Sequence, residues 1–121
     1  MSILFHIVKK DAWLKALDLN VYEPESLKKE GFIHFSTSDQ LLKVANTRFK
    51  GQEDLLVLIV AEKSLITDLR YEDCADEGDQ FPHLYRKLKS SEVVSFVDFR
   101  PHNDGTFTLP LEITNLIKNT I

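Results

Sequence analysis

The chain has 121 residues, 43% of them hydrophobic and 28% charged, with a formal net charge of −4. That length and apolar content fit a single domain over residues 1–121 with a real core, and the acidic balance excludes the broad basic face of a DNA-binding protein and lends no support to an RNA partner. No apolar run is long enough to cross a membrane. The N-terminal run is also too short, and has no preceding basic residues, for a secretory signal, so a cytoplasmic location is expected.

Ile3 to Val8 is β-branched and aromatic, which predicts a strand with Leu4, His6 and Val8 on one face. Asp11 suits the N-cap of a short helix whose apolar face is Trp13, Ala16 and Leu17. Pro24 can open a single helical turn that Gly31 closes. Gly31 to Ser36 (GFIHFS) predicts a strand with Phe32, His34 and Ser36 on one face. Thr37 and Gln40 have capping-box spacing ahead of a helix carrying Leu41, Val44, Ala45 and Phe49. His34 would then lie just before a helix N-terminus, where free amides and the helix dipole favour an anion.

Leu55 to Ala61 (LLVLIVA) is apolar throughout, as a central strand covered on both faces would be. LRYE is a short strand, residues 74–80 an acidic loop, and FPHLY an extended segment leading to a strand over Glu92 to Arg100. Asn103-Asp104-Gly105 signals a turn, with TFTLP returning as a hairpin partner. The tail, residues 111–121, can form a helix with Leu111, Leu116 and Ile117 inward. The order β-α-turn-β-α-β-β-β-β-α predicts an α+β fold: a mixed, mostly antiparallel sheet with helices on one side.

The residues that can carry chemistry are His6, His34 and His83, each set in a strand-like aromatic motif. Imidazole is a poor core filler because one ring nitrogen must donate and the other accept. In FPHLY, His83 and Tyr85 share a face and can line a cleft. Arg70 and Glu72 share a strand face at i, i+2, suited to a charged pocket wall or to a solvated strand. Trp13 is the sole tryptophan; its helical spacing favours core packing over ligand stacking. His102 lies beside a turn and is assigned no role. Cys74, the sole cysteine, sits in an acidic stretch that disfavours a thiolate and is read as incidental. No phosphate-binding glycine loop, HExxH or GxSxG occurs. A metal site on His6, His34, His83 and Glu72 is chemically allowed, without support from spacing.

Taken together, FHIV with Trp13, Tyr22-x-Pro24 leading to GFIHFS, Gln40 with Val44-Ala45-Asn46, LLVLIV, RYE, FPHLY and DGTFTLP resemble the domain of unknown function 952 family. The resemblance covers residues 4–110 and brings no established activity. At fold level the layout is similar to ADP-ribosyltransferases, especially the histidine-rich branch containing RNA 2′-phosphotransferases. There, a histidine on the first strand and a His-x-Ser strand preceding a helix match His6 and His34-Phe35-Ser36. Where that fold often carries a glutamate, this chain has FPHLY with His83, a departure from protein ADP-ribosylation.

The resemblance implies a cleft for an NAD- or nucleotide-like ligand, with NAD as co-substrate and ADP-ribosyl or phosphoryl transfer as the reaction. In that reading His6 and His34 act at the ribose, with His34 alternatively a general acid/base, and His83 and Tyr85 form the opposite wall. Ser36 orients the ribose, Phe35 and Tyr85 stack, Arg70 meets phosphate, and Glu72 and Trp13 line the site. The rivals are a non-enzymatic module for a small ligand or protein, with an open groove and no buried histidine cluster, and the histidine metal site.

Overall fold

The structure is a computed structural model that describes residues 2–73 and 78–120. Cys74 and the first part of the acidic loop lie outside the described residues. Strand β1 (Ile3–Lys9) leads into helix α1 (Lys10–Leu19), β2 (Val21–Tyr22), α2 (Glu25–Glu30), β3 (Ile33–His34) and α3 (Leu41–Arg48). Then follow β4 (Leu55–Ala61), α4 (Glu62–Leu65), β5 (Leu69–Glu72), β6 (Phe81–Leu84), β7 (Leu88–Lys89), β8 (Val93–Phe99) and α5 (Leu111–Thr120).

The α+β class holds, but one mixed sheet does not form. The described strands make three small sheets, ordered β1-β4-β8, β2-β7 and β3-β6-β5, and all of their pairings are antiparallel. Short strands explain the division: β2, β3 and β7 have two residues each, too few to extend a common ladder. β4 is the central strand of its sheet, as its unbroken apolar run requires.

Helices cover both faces of that sheet, contrary to the one-sided expectation. Leu4, Val8, Leu56, Leu58 and Val60 pack with Trp13 and Ala16 of α1. Phe5, Ile7, Leu55, Val57 and Ile59 pack with Leu41 and Ala45 of α3 and Ile113 of α5. The period of two in β1 and β4 therefore feeds two cores. With strand residues apolar on both sides, helices on one side alone would leave the other side wet.

Several local expectations shift. Helix α1 starts at Lys10 with Lys9 as its N-cap, so Asp11 lies in the first turn, and Leu17 is exposed. Pro24 caps α2, and Gly31 ends it at φ +91, as its sequence position suggested. In α5, Leu111 points outward and Ile113 takes the fully buried position.

The TFTLP segment does not pair with β8. Its Phe107 amide donates to Asn46 Oδ1 at 2.7 Å, and Asn46 Nδ2 donates back to the Phe107 carbonyl at 3.3 Å. The Asn46 side-chain amide thus takes both main-chain groups that a hairpin partner would use. No helix among the described residues is long and apolar enough to cross a membrane.

Candidate functional site

The site begins where two sheets meet and part. Phe5 of β1 and Ser36, just past β3, exchange two main-chain hydrogen bonds of 2.8 Å. Beyond this bridge no main-chain hydrogen bond among the described residues joins β1 to β3. The His6 side chain spans the gap instead, with Nδ1 2.5 Å from the His34 carbonyl oxygen. A carbonyl only accepts, so Nδ1 carries the proton. Nε2 then accepts from the Tyr22 hydroxyl at 2.7 Å. Burial lowers the His6 pKa to about 4, so the ring is neutral at physiological pH. With both nitrogens engaged, His6 ties β1, β2 and β3 together.

The gap opens into a cleft of about 280 Å³. Its polar lining is His6, His34, Ser36, Arg48, Glu72 and His83. Its apolar walls include Phe5, Phe35, Phe49 and Phe81. The three histidines singled out from sequence therefore line one cavity, together with Phe35, Ser36 and Glu72.

His83 is buried under Phe32, the two rings stacked at 4.0 Å and 19°. Its Nδ1 lies 3.0 Å from Glu72 Oε1, the same oxygen that accepts the Tyr85 hydroxyl at 2.5 Å. These two donors, Tyr85 foremost, hold the Glu72 carboxyl below the usual carboxylate range. Burial lowers the His83 pKa, and the Glu72 carboxylate opposes that shift. The second Glu72 oxygen accepts no hydrogen bond among the described residues.

His34 is the exposed member. Its Nε2 lies 3.0 Å from Glu30 Oε1, and its ring centroid is 5.2 Å from that of His83. It does not adjoin a helix N-terminus: Phe35 to Gln40 intervene before α3, and the main chain turns over residues 38–40. Gln40 keeps only half of a capping box, accepting from the Thr37 amide at 3.1 Å. Its amide nitrogen is spent on Asp79 Oδ1 and the Gln80 carbonyl, which anchors the chain entering β6.

Ser36 is 6% exposed, and its hydroxyl makes no hydrogen bond among the described residues. A hydroxyl so placed lacks a protein partner and faces the cleft.

Three expected residues stand apart. Tyr85 is outside the cleft lining and reaches it only through Glu72, and Arg70 lies with its guanidinium carbon 5.0 Å over the Tyr85 ring. Trp13 is buried between Tyr22 and Phe96, centroids 6.4 and 6.0 Å away, and supports the partner of His6. Sequence reasoning missed Arg48, Glu30, Phe32 and Tyr22. Arg48 had a readable signal in its i, i+4 spacing from Val44 on α3, and Phe32 in the strand face it shares with His34.

The metal reading loses its geometry. Among the described residues no group of three His, Cys, Asp or Glu side chains could hold a metal ion, and both His6 nitrogens are already committed.

Comparison with known proteins agrees with the fold. Protein CC0527 from Caulobacter crescentus has a crystal structure that matches with a TM-score of 0.82 and 33% identity, covering 89% of this chain and 95% of that one. Its solution NMR structure matches with a TM-score of 0.80 and 34% identity, over 90% and 94% of the two chains. No curated protein matches. The family model described as DUF952, protein of unknown function, matches residues 7–96, and the chain belongs to that family.

Proposed function

We propose that the cleft binds one base-and-ribose unit of NAD or of a related nucleotide, and that the chain transfers an ADP-ribosyl or phosphoryl group. The observation that carries this reading is the pair of unmade hydrogen bonds facing the cleft. Ser36, a largely buried residue, brings a hydroxyl with no hydrogen bond among the described residues, and Glu72 brings one carboxylate oxygen that accepts none. Vicinal ribose hydroxyls supply both a donor and an acceptor for such a pair, and the phenylalanine walls suit a planar ring. The parting of two sheets beside a histidine-bearing first strand is in keeping with an ADP-ribosyltransferase-like layout, which is an analogy of fold.

The chemistry follows from the charges. Cleavage of a glycosidic C–N bond builds positive charge on the ribose. The Glu72 carboxylate, held ionised by Tyr85 and His83, stabilises that charge without reorganising. His34 and His83 are the groups able to move a proton. His6 positions the cleft. The non-enzymatic rival required an absence of buried histidines, whereas His6 and His83 are both buried.

Calorimetry with NAD, ADP-ribose and a 2′-phosphorylated RNA end tests the reading. Binding of at least one ligand, weakened in Ser36→Ala and Glu72→Gln, is the expected result. No binding of any of them, with His34→Ala behaving like the parent, sinks it.

A further inference from the structure

Resting on that reading of the cleft, we infer that Arg48 is a phosphate anchor and that it contacts a single phosphate group of the ligand. Four arginines occur in the chain. Arg86 is saturated by Asp68 and Glu92, Arg100 faces Asp98, and Arg70 lies over Tyr85. Arg48 is the exception: its guanidinium has no hydrogen bond, ion pair or ring partner among the described residues, and it lines the cleft. Arg48 is exposed in the last turn of α3 and lines the cleft, so its donors face solvent beside the cavity and are open to a ligand. A guanidinium offers parallel N–H groups matched to two phosphate oxygens.

Its place in the fold favours this use. Val44 and Arg48 are one helical turn apart on α3, and both line the cleft, as does the neighbouring Phe49. The helix side that closes the cleft therefore ends in a cation.

Two observations limit the phosphate number to one. The remaining charged lining residue, Glu72, is a carboxylate and repels further negative charge. It forms no ion pair with Arg48, so each is left to act on the ligand separately. The volume of about 280 Å³ sits near the lower bound of roughly 300 Å³ for small-molecule pockets, which suits one base-and-ribose unit with its adjoining phosphate. A dinucleotide would place its second half outside.

The test compares ligands that differ only in phosphate. Nicotinamide mononucleotide is set against nicotinamide riboside, and AMP against adenosine and ADP, by calorimetry on the parent, Arg48→Gln, Arg48→Lys and Arg100→Gln. In the parent the monophosphate binds roughly 10- to 100-fold tighter than its nucleoside, the range of a charge-assisted hydrogen bond. ADP gains nothing over AMP. Arg48→Gln removes the phosphate increment and leaves nucleoside affinity as it was, Arg48→Lys keeps part of it, and Arg100→Gln keeps all of it. A phosphate increment that survives in Arg48→Gln overturns the inference. So does an Arg48-dependent preference for ADP, and so do nucleosides that bind as tightly as their phosphates; the proposed function survives all three. Failure of every probe to bind the parent overturns the inference, and the proposed function falls with it only when NAD, ADP-ribose and the RNA end also fail to bind.

Discussion

His6 Nδ1 lies 2.5 Å from the carbonyl oxygen of His34, across the point where the β1-β4-β8 and β3-β6-β5 sheets part. A side chain there does the work of a missing main-chain bond. Removing it leaves the His34 carbonyl and the Tyr22 hydroxyl without their partner and opens a void. His6→Ala should cost about 2–5 kcal/mol, the range for an emptied buried site with lost hydrogen bonds. Tyr22→Phe, which leaves His6 Nε2 without a donor, should cost about 1–3 kcal/mol. Urea denaturation measures both, and a change under half a kilocalorie in either would show that the strap is idle.

The same histidine predicts a pH dependence. In the unfolded chain His6 titrates near the ordinary histidine value of 6.5, and in the folded protein burial lowers it to about 4. Between these values the unfolded state binds more protons, so stability is full above pH 6.5 and declines as pH falls toward 4. The gap corresponds to roughly 3 kcal/mol. His83, also lowered by burial, adds to the same slope. Stability curves of the parent and of His6→Gln over pH 4–7 check this. The variant should show a shallower fall, and parallel curves would remove His6 as the cause.

Glu72, His83 and Tyr85 should titrate as a linked set. Tyr85→Phe removes the main influence that lowers the Glu72 pKa, which should rise. Glu72→Gln removes the carboxylate that opposes the burial of His83, whose pKa should fall further. Both are read by NMR titration of the side-chain resonances. An unmoved His83 in Glu72→Gln would mean that their 3.0 Å contact does not persist in solution.

Asn46 should matter out of proportion to its size. It satisfies the amide and the carbonyl of Phe107, which stacks on Phe99 at 4.6 Å in the core beneath α3 and α5. Asn46→Ala should cost about 1–3 kcal/mol and speed hydrogen exchange at the Phe107 amide. Asn46→Asp keeps the acceptor and should retain the amide's protection. Equal exchange in all three proteins would count against the clasp.

Much of the framework was legible because it depends on period and punctuation. The double apolar pattern of LLVLIVA placed β4 at the centre of its sheet, and Gly31 marked the end of α2. His6, His34 and His83 stood out by their aromatic strand motifs, but that they line one cavity is visible only in the structure. Pairings made by side chains were not legible. Nothing local says that Asn46 replaces a hairpin strand for Phe107, or that Glu30 turns back to His34. Arg48 was passed over because a charged residue at a helix end is ordinarily solvated; only the cleft beside it gives the position meaning. Arg70 looked like the phosphate ligand; it lies over the Tyr85 ring and is not among the residues lining the cleft.

The parting of the sheets has one more consequence. Where two strands are zipped by main-chain bonds, their spacing is fixed by the backbone and no substitution can alter it. Here the far side of the bridge is gauged by the length of one imidazole, backed by one phenol. The aperture of the cleft is therefore encoded in side chains at positions 6 and 22. A single codon change at either could re-size it for a different guest while the scaffold stays in place.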